Sequence, residues 1–105
     1  MIAISERVLQ HKPELEALYA VRASERLQLF GSAATGEFKE GSSDLDFLVE
    51  FKATGWEGFA DRYFGLMEGL QRLFGCPIDL VVDSAISNPY FREVVDRKKI
   101  LLYAD

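Results

Sequence analysis

Leu29-Phe30-Gly31-Ser32 and, after a polar loop, Ser43-Asp44-Leu45-Asp46-Phe47-Leu48-Val49 are the stretches whose reading decides the fold. Arg26 to Phe30 reads as a short strand. Gly31-Ser32 breaks it and Ala33-Ala34 favour helix, so the pattern predicts a strand turning into a helix N-terminus. Free backbone N–H groups at such a turn attract anions such as phosphate. Beyond the loop, Asp44 and Asp46 stand two apart at the head of an apolar strand. Residues i and i+2 share a strand face, so the carboxylates converge while Leu45, Phe47 and Val49 point to the core. Convergent carboxylates repel unless a cation lies between them. Mg²⁺ suits the arrangement, because it takes one or two carboxylates and completes its octahedron with water and substrate phosphates. A phosphate cradle beside a Mg²⁺ pair is equipment for handling a nucleotide.

The chain has 105 residues, which predicts one domain over 1–105 with a modest core and no room for a second, substrate-specific domain. Apolar residues make up 49% of it, so a globular chain is expected rather than a disordered one. The formal net charge is −5, the wrong sign for an extended nucleic-acid surface. Cys76 is the only cysteine. No intramolecular disulfide can form, and a reducing cytoplasm is the natural setting. Met1 to Ile4 is too short for a signal peptide's apolar region, and no run approaches membrane-spanning length.

From the N-terminus, Ser5 reads as the cap of a short helical turn, and Pro13 opens a helix to about Arg22 with Leu15, Leu18, Tyr19 and Arg22 at helical spacing. Ala23-Ser24-Glu25 reads as a turn. His11, the only histidine, sits in the break between the helices and reads as locally bonded rather than catalytic. Gly36 suits the stop of the short helix after Ser32, and Glu37 to Ser43 reads as a mobile polar loop. The apolar strand from Asp44 to Phe51 is expected at the centre of the sheet.

Trp56 to Phe74 reads as the main helix. Its stripe of Trp56, Phe59, Tyr63, Met67, Leu70 and Phe74 is core, and Gly65 and Gly69 on one face leave room for a neighbour. Gly75 ends that helix. Cys76 to Val82 is the next strand, with Asp79 a mid-strand charge that needs a partner. If this strand lies beside the one from Asp44, Asp79 can reach the carboxylate pair; the plainer reading is an exposed aspartate on an edge strand. Asp83-Ser84 reads as a turn. Asn88 caps a helix from Pro89 to about Asp96 with Phe91, Val94 and Val95 inward. Arg97-Lys98-Lys99 reads as a solvated helix end, and Ile100 to Tyr103 as a last strand.

Phe30-Gly31-Ser32, Gly36 and Ser43-Asp44-Leu45-Asp46, in this order, resemble the signature of the DNA polymerase β superfamily of nucleotidyltransferases. The short length is similar to its minimal nucleotidyltransferase branch. The resemblance implies an α/β (α+β) polymerase β-like fold, a small mixed sheet backed by helices. It also implies transfer of AMP from ATP to a hydroxyl, with Gly31 and Ser32 on the terminal phosphates and Asp44 and Asp46 on Mg²⁺. Asp79, matched to the family's third carboxylate, would help hold the catalytic metal and draw the acceptor's proton.

Relatives of this branch commonly act as antitoxins to small helical HEPN-type toxins, which implies a protein acceptor. Two departures stand out. The loop before Asp44 is slightly longer than in the branch, and Thr35 replaces the basic residue often found before the second glycine. Lys39, Arg92 and Arg97 are candidates to replace its charge. The alternative is a binding module that neutralises a partner toxin by covering it. Transfer to a small molecule and an acidic phosphoacceptor domain fit less of the chain, and a homo-oligomer stays open.

Overall fold

The strand ending at Phe30 and the strand beginning at Leu45 lie side by side, antiparallel, at the centre of a four-stranded sheet. The computed structural model describes residues 4–22, 24–39, 43–51 and 58–104, with the side chains of 19–22, 24, 103 and 104 excepted. Along the chain these form α1 (Ile4–Gln10), α2 (Lys12–Arg22), β1 (Ser24–Phe30), α3 (Ser32–Thr35), β2 (Leu45–Phe51) and α4 (Phe59–Phe74). Then come β3 (Ile78–Val82), a 3-10 turn (Asp83–Ala85), α5 (Pro89–Asp96) and β4 (Ile100–Ala104). The sheet order is β3-β2-β1-β4, with β3 parallel to β2 and the other pairs antiparallel. The parallel pair needs a crossover, and α4 supplies it.

Strand alternation divides the sheet into two faces. Leu27 and Leu29 of β1, Leu45, Phe47, Val49 and Phe51 of β2, Leu80 of β3 and Leu102 of β4 form the main core with Val8, Leu15, Leu66 and Leu70 from the helices. On the opposite face Phe30 and Leu48 pack with Val95 of α5 in a smaller cluster. Central placement of β2 accounts for its largely apolar run: Leu45, Phe47, Val49 and Phe51 face the main core, and Leu48 is buried on the other face.

The helix ends follow their residues. Gly58 (φ 74°) precedes α4 and Gly75 (φ 65°) closes it, the Gly75 N–H donating to the Gln71 carbonyl at 2.8 Å. Gly69 lets α2 come close, for a Cβ there would lie 2.5 Å from Leu18 Cδ2. Asn88 caps α5, its side-chain oxygen accepting from the N–H groups of Tyr90 (2.9 Å) and Phe91 (3.3 Å).

Several expectations are corrected. Ser5 lies inside α1 instead of capping it, and Ser24 and Glu25 already belong to β1. Of the three α5 residues expected inward only Val95 is buried; Phe91 is 38% and Val94 52% exposed. An eight-residue helix laid on one side of a sheet buries a narrow stripe: Val94 lies off it, and Phe91, one turn before Val95, meets Phe30 only edge to face and leaves the rest of its ring in solvent. Trp56 and the middle of the loop before Ser43 lie outside the described residues.

Candidate active site

The site end of the sheet is built by register. Phe30 stands opposite Asp46 across the β1–β2 ladder, and Asp46 stands opposite Asp79 across the β2–β3 ladder. Asp46 therefore lies between the Gly31 turn and Asp79. Asp46 and Leu48 share the face away from the main core, as alternation requires. Asp44 immediately precedes β2, exposed, two residues from Asp46 on the same side. Asp79 is exposed on the edge strand β3, so the edge placement and the reach to the pair are both true of it.

Burial comes first among the causes that push Asp46 up to about 6, followed by the charge of Asp79 and then that of Asp44. Three carboxylates within electrostatic reach make each further negative charge costly. Among the described residues no three carboxylate, imidazole or thiol groups close into a ready-made metal cage. The donor set is hard oxygen throughout, and its mutual repulsion is what a small divalent cation would relieve, so the residues fit Mg²⁺.

Gly31 is fixed by two independent constraints. Its φ is +70°, in the region that side chains rarely adopt. A Cβ there would overlap Asp46 Oδ2 and lie 3.0 Å from Asp46 Cγ. The backbone can turn directly over the carboxylate only because nothing projects from it. The α3 helix that follows is a single turn of four residues. A macrodipole of that length is small, so the anion attraction expected at this turn rests on the backbone N–H groups that lack an intrahelical carbonyl. Thr35 turns its hydroxyl back onto α3, donating to the Ser32 carbonyl at 3.4 Å, and Gly36 closes the turn at φ 87°.

Of the basic residues considered for the phosphates, Arg92 is committed elsewhere. Its Nη1 lies 2.6 Å from Asp83 Oδ1 and its Nη2 donates to the Asp83 carbonyl at 2.8 Å. Arg26 donates to the other Asp83 oxygen at 2.8 Å. Burial alone would raise the Asp83 carboxyl, but the hydrogen bonds from Arg92 and Arg26 outweigh it and hold it below the usual carboxylate range. This Arg–Asp–Arg clamp lies toward the opposite end of the strands from Gly31 and ties α5 to the sheet. Arg26 and Asp83 are 57 residues apart in sequence, and no local signal announces their pairing. Arg97 lies 3.9 Å from Glu93, and the Lys39 N–H donates to Ser43 Oγ at 3.0 Å across the neck of the loop.

Such a sheet, with a glycine turn set against paired carboxylates, defines a nucleotidyltransferase domain. The family model of the nucleotidyltransferase domain matches residues 8–102, and the chain belongs to that family. A Methanocaldococcus jannaschii protein provisionally named a protein adenylyltransferase is 35% identical over 97 residues, covering 92% of both chains. The protein adenylyltransferase MntA of Thermococcus cleftensis is 37% identical over 89 residues, covering 81% of this chain and 83% of that protein. Among solved structures, one provisionally described as a minimal nucleotidyltransferase superposes with a TM-score of 0.73 at 31% identity, covering 91% of this chain and 93% of the other. The chain is thus a minimal nucleotidyltransferase with the mixed fold expected of one. A toxin–antitoxin complex with AMP-PNP shares the fold with a TM-score of 0.67 at 20% identity, covering 90% of this chain and 73% of that one. Among the described residues no helix is long and apolar enough to cross a membrane.

Proposed function

We propose that the chain transfers AMP from Mg·ATP to a side-chain hydroxyl of a partner protein, a small helical toxin of the HEPN type, and so acts as its antitoxin in the cytoplasm. The observation that carries the reading is the stacking, along one end of the sheet, of Gly31 against Asp46 and of Asp46 beside Asp79. Similarity to proteins named protein adenylyltransferases supports the choice of nucleotide and of a protein acceptor.

In this reading the Gly31-Ser32 backbone and the Ser32 hydroxyl hold the terminal phosphates. Asp44, Asp46 and Asp79 hold Mg²⁺, which supplies charge neutralisation at the triphosphate. The Asp79 carboxylate, exposed on the edge strand where an acceptor can approach, takes the proton from the incoming hydroxyl. That oxygen then bonds to the α-phosphorus, the bond to the bridging oxygen breaks, and pyrophosphate leaves.

A second reading is favoured by one observation: Arg92 is spent on Asp83, and Thr35 offers no charge. In that case the chain neutralises its partner by covering it, with the nucleotide site idle. Label transfer separates the two. Wild type and Asp46→Asn are incubated with Mg²⁺ and α-labelled ATP in host lysate. A labelled protein band with wild type alone supports transfer. No band, with both proteins pulling down the same small partner, overturns transfer and leaves binding.

A further inference from the structure

We propose that Lys98 contacts the phosphates of the bound triphosphate and supplies their positive counter-charge; this rests on the nucleotidyl-transfer reading above. The problem it answers is one of charge. A triphosphate seated at Gly31 lies beside Asp44, Asp46 and Asp79, and the Gly31-Ser32 turn offers only neutral donors. Mg²⁺ would offset that charge on the carboxylate side, and a side-chain cation on the other flank of the turn would offset the rest.

The ladder between β1 and β4 puts one there. Leu29 pairs with Ile100 at the end of that antiparallel register. Two further steps outward lead from Leu29 to Gly31 on one strand and from Ile100 to Lys98 on the other. The turn carrying Lys98 therefore leads into β4 at the same end of the sheet at which β1 leads into Gly31. On its other side β1 adjoins β2, where Phe30 faces Asp46. The site end of the sheet therefore carries Asp79 and Asp46 on one side of the Gly31 turn and the turn of Lys98 on the other.

Within the basic run at 97–99, Lys98 is the residue with its charge to spare. Lys99 Nζ lies 2.9 Å from Asp96 and Arg97 is held toward Glu93, whereas Lys98 is exposed and makes no ion pair among the described residues. Its backbone is also unusual, for φ is +56°, the one positive value at a described residue other than glycine. Glycine fills such a position at the end of a helix more cheaply. Arg26 and Arg92, the strongest alternatives by charge, are locked to Asp83 toward the other end of the strands.

The test uses Lys98→Gly and Lys98→Arg, titrated by calorimetry with ATP and with inorganic tripolyphosphate in the presence of Mg²⁺, alongside wild type and Asp46→Asn. Lys98→Gly should weaken both ligands by about tenfold, the scale of one charge-assisted contact. It should unfold at or above the wild-type midpoint, because glycine relieves the backbone, so lost binding is not lost fold. Lys98→Arg should bind within about twofold of wild type. Equal binding by Lys98→Gly and wild type, while Asp46→Asn binds Mg·ATP more weakly, overturns the role of Lys98 and leaves the nucleotide site standing. Failure of wild type to bind either ligand overturns both.

Discussion

Gly31 and Asp46 meet at a point where the glycine backbone leaves no room for a side chain. Gly31→Ala adds a Cβ at φ +70° into the Asp46 carboxylate. It should cost at least about 2 kcal/mol of stability as well as nucleotide binding, both measurable by denaturant unfolding and calorimetry. For Asp46 the signs of stability and function oppose each other. Its carboxyl is raised to about 6 in the fold from an ordinary 3.8, so the folded chain holds that proton more tightly than the unfolded chain does. The metal-free protein is therefore most favoured by this group below the ordinary value and loses that contribution as pH rises toward 6. Asp46→Asn removes the charge. At pH 7 and without metal it should be more stable than wild type, by on the order of 1 kcal/mol once solvent screening is allowed for. A metal-free midpoint for Asp46→Asn below that of wild type at pH 7 would contradict this sign.

The placing of Asp44, Asp46 and the Gly31 turn at one end of the sheet was legible in sequence because strand alternation and a glycine break are local signals. Asp79 was half legible. Its alternation was visible, but whether it met the pair depended on β3 choosing β2 as its parallel neighbour, which is a long-range event. Arg92 could not be placed at all, since its partner Asp83 declares itself only when α5 folds back over the sheet.

Among elements, α5 is the one whose attachment departs from its pattern. An apolar count predicts three inward residues, but the helix is held by Val95 on its apolar side and by the Arg26–Asp83–Arg92 clamp on its polar side. Asp83→Asn should leave β1, β2 and β4 intact and speed amide exchange through residues 89–96, with a smaller effect on the global midpoint. The depressed carboxyl gives the same device a pH signature. The stability it contributes is present above the ordinary carboxylate value and is lost as pH falls through the lower folded value, so α5 should loosen first in acid. The cap is separable from the clamp. Asn88→Ala removes the acceptor for two N–H groups and should cost about 1 kcal/mol in thermal or denaturant unfolding.

At the scale of the molecule, one sheet joins two environments. The main core lies on one face, and the carboxylates share the other with a cluster of three residues. Ligands seated at the carboxylate end bind only the folded chain, so Mg·ATP at a hundred times its dissociation constant should add roughly 2.7 kcal/mol to the unfolding free energy of wild type. Asp46→Asn should show little of that gain, and an equal gain in both proteins would remove the nucleotide from this end of the sheet. The net charge of −5 sets a second expectation: DNA and RNA should not be retained at physiological salt.

The contact between Gly31 and Asp46 also bears on how such a chain can change over generations. Every residue other than glycine carries a Cβ, so every coding change at Gly31 meets the same obstruction, and no intermediate allele exists through which the site could be retuned. Drift is confined to the surroundings: the loop ahead of Asp44 and the exposed flank of α5. A lineage of this protein can alter its outer surface far more readily than it can alter the turn that faces the carboxylates. Once Gly31 is lost, whatever binding remains is all that selection has left to keep.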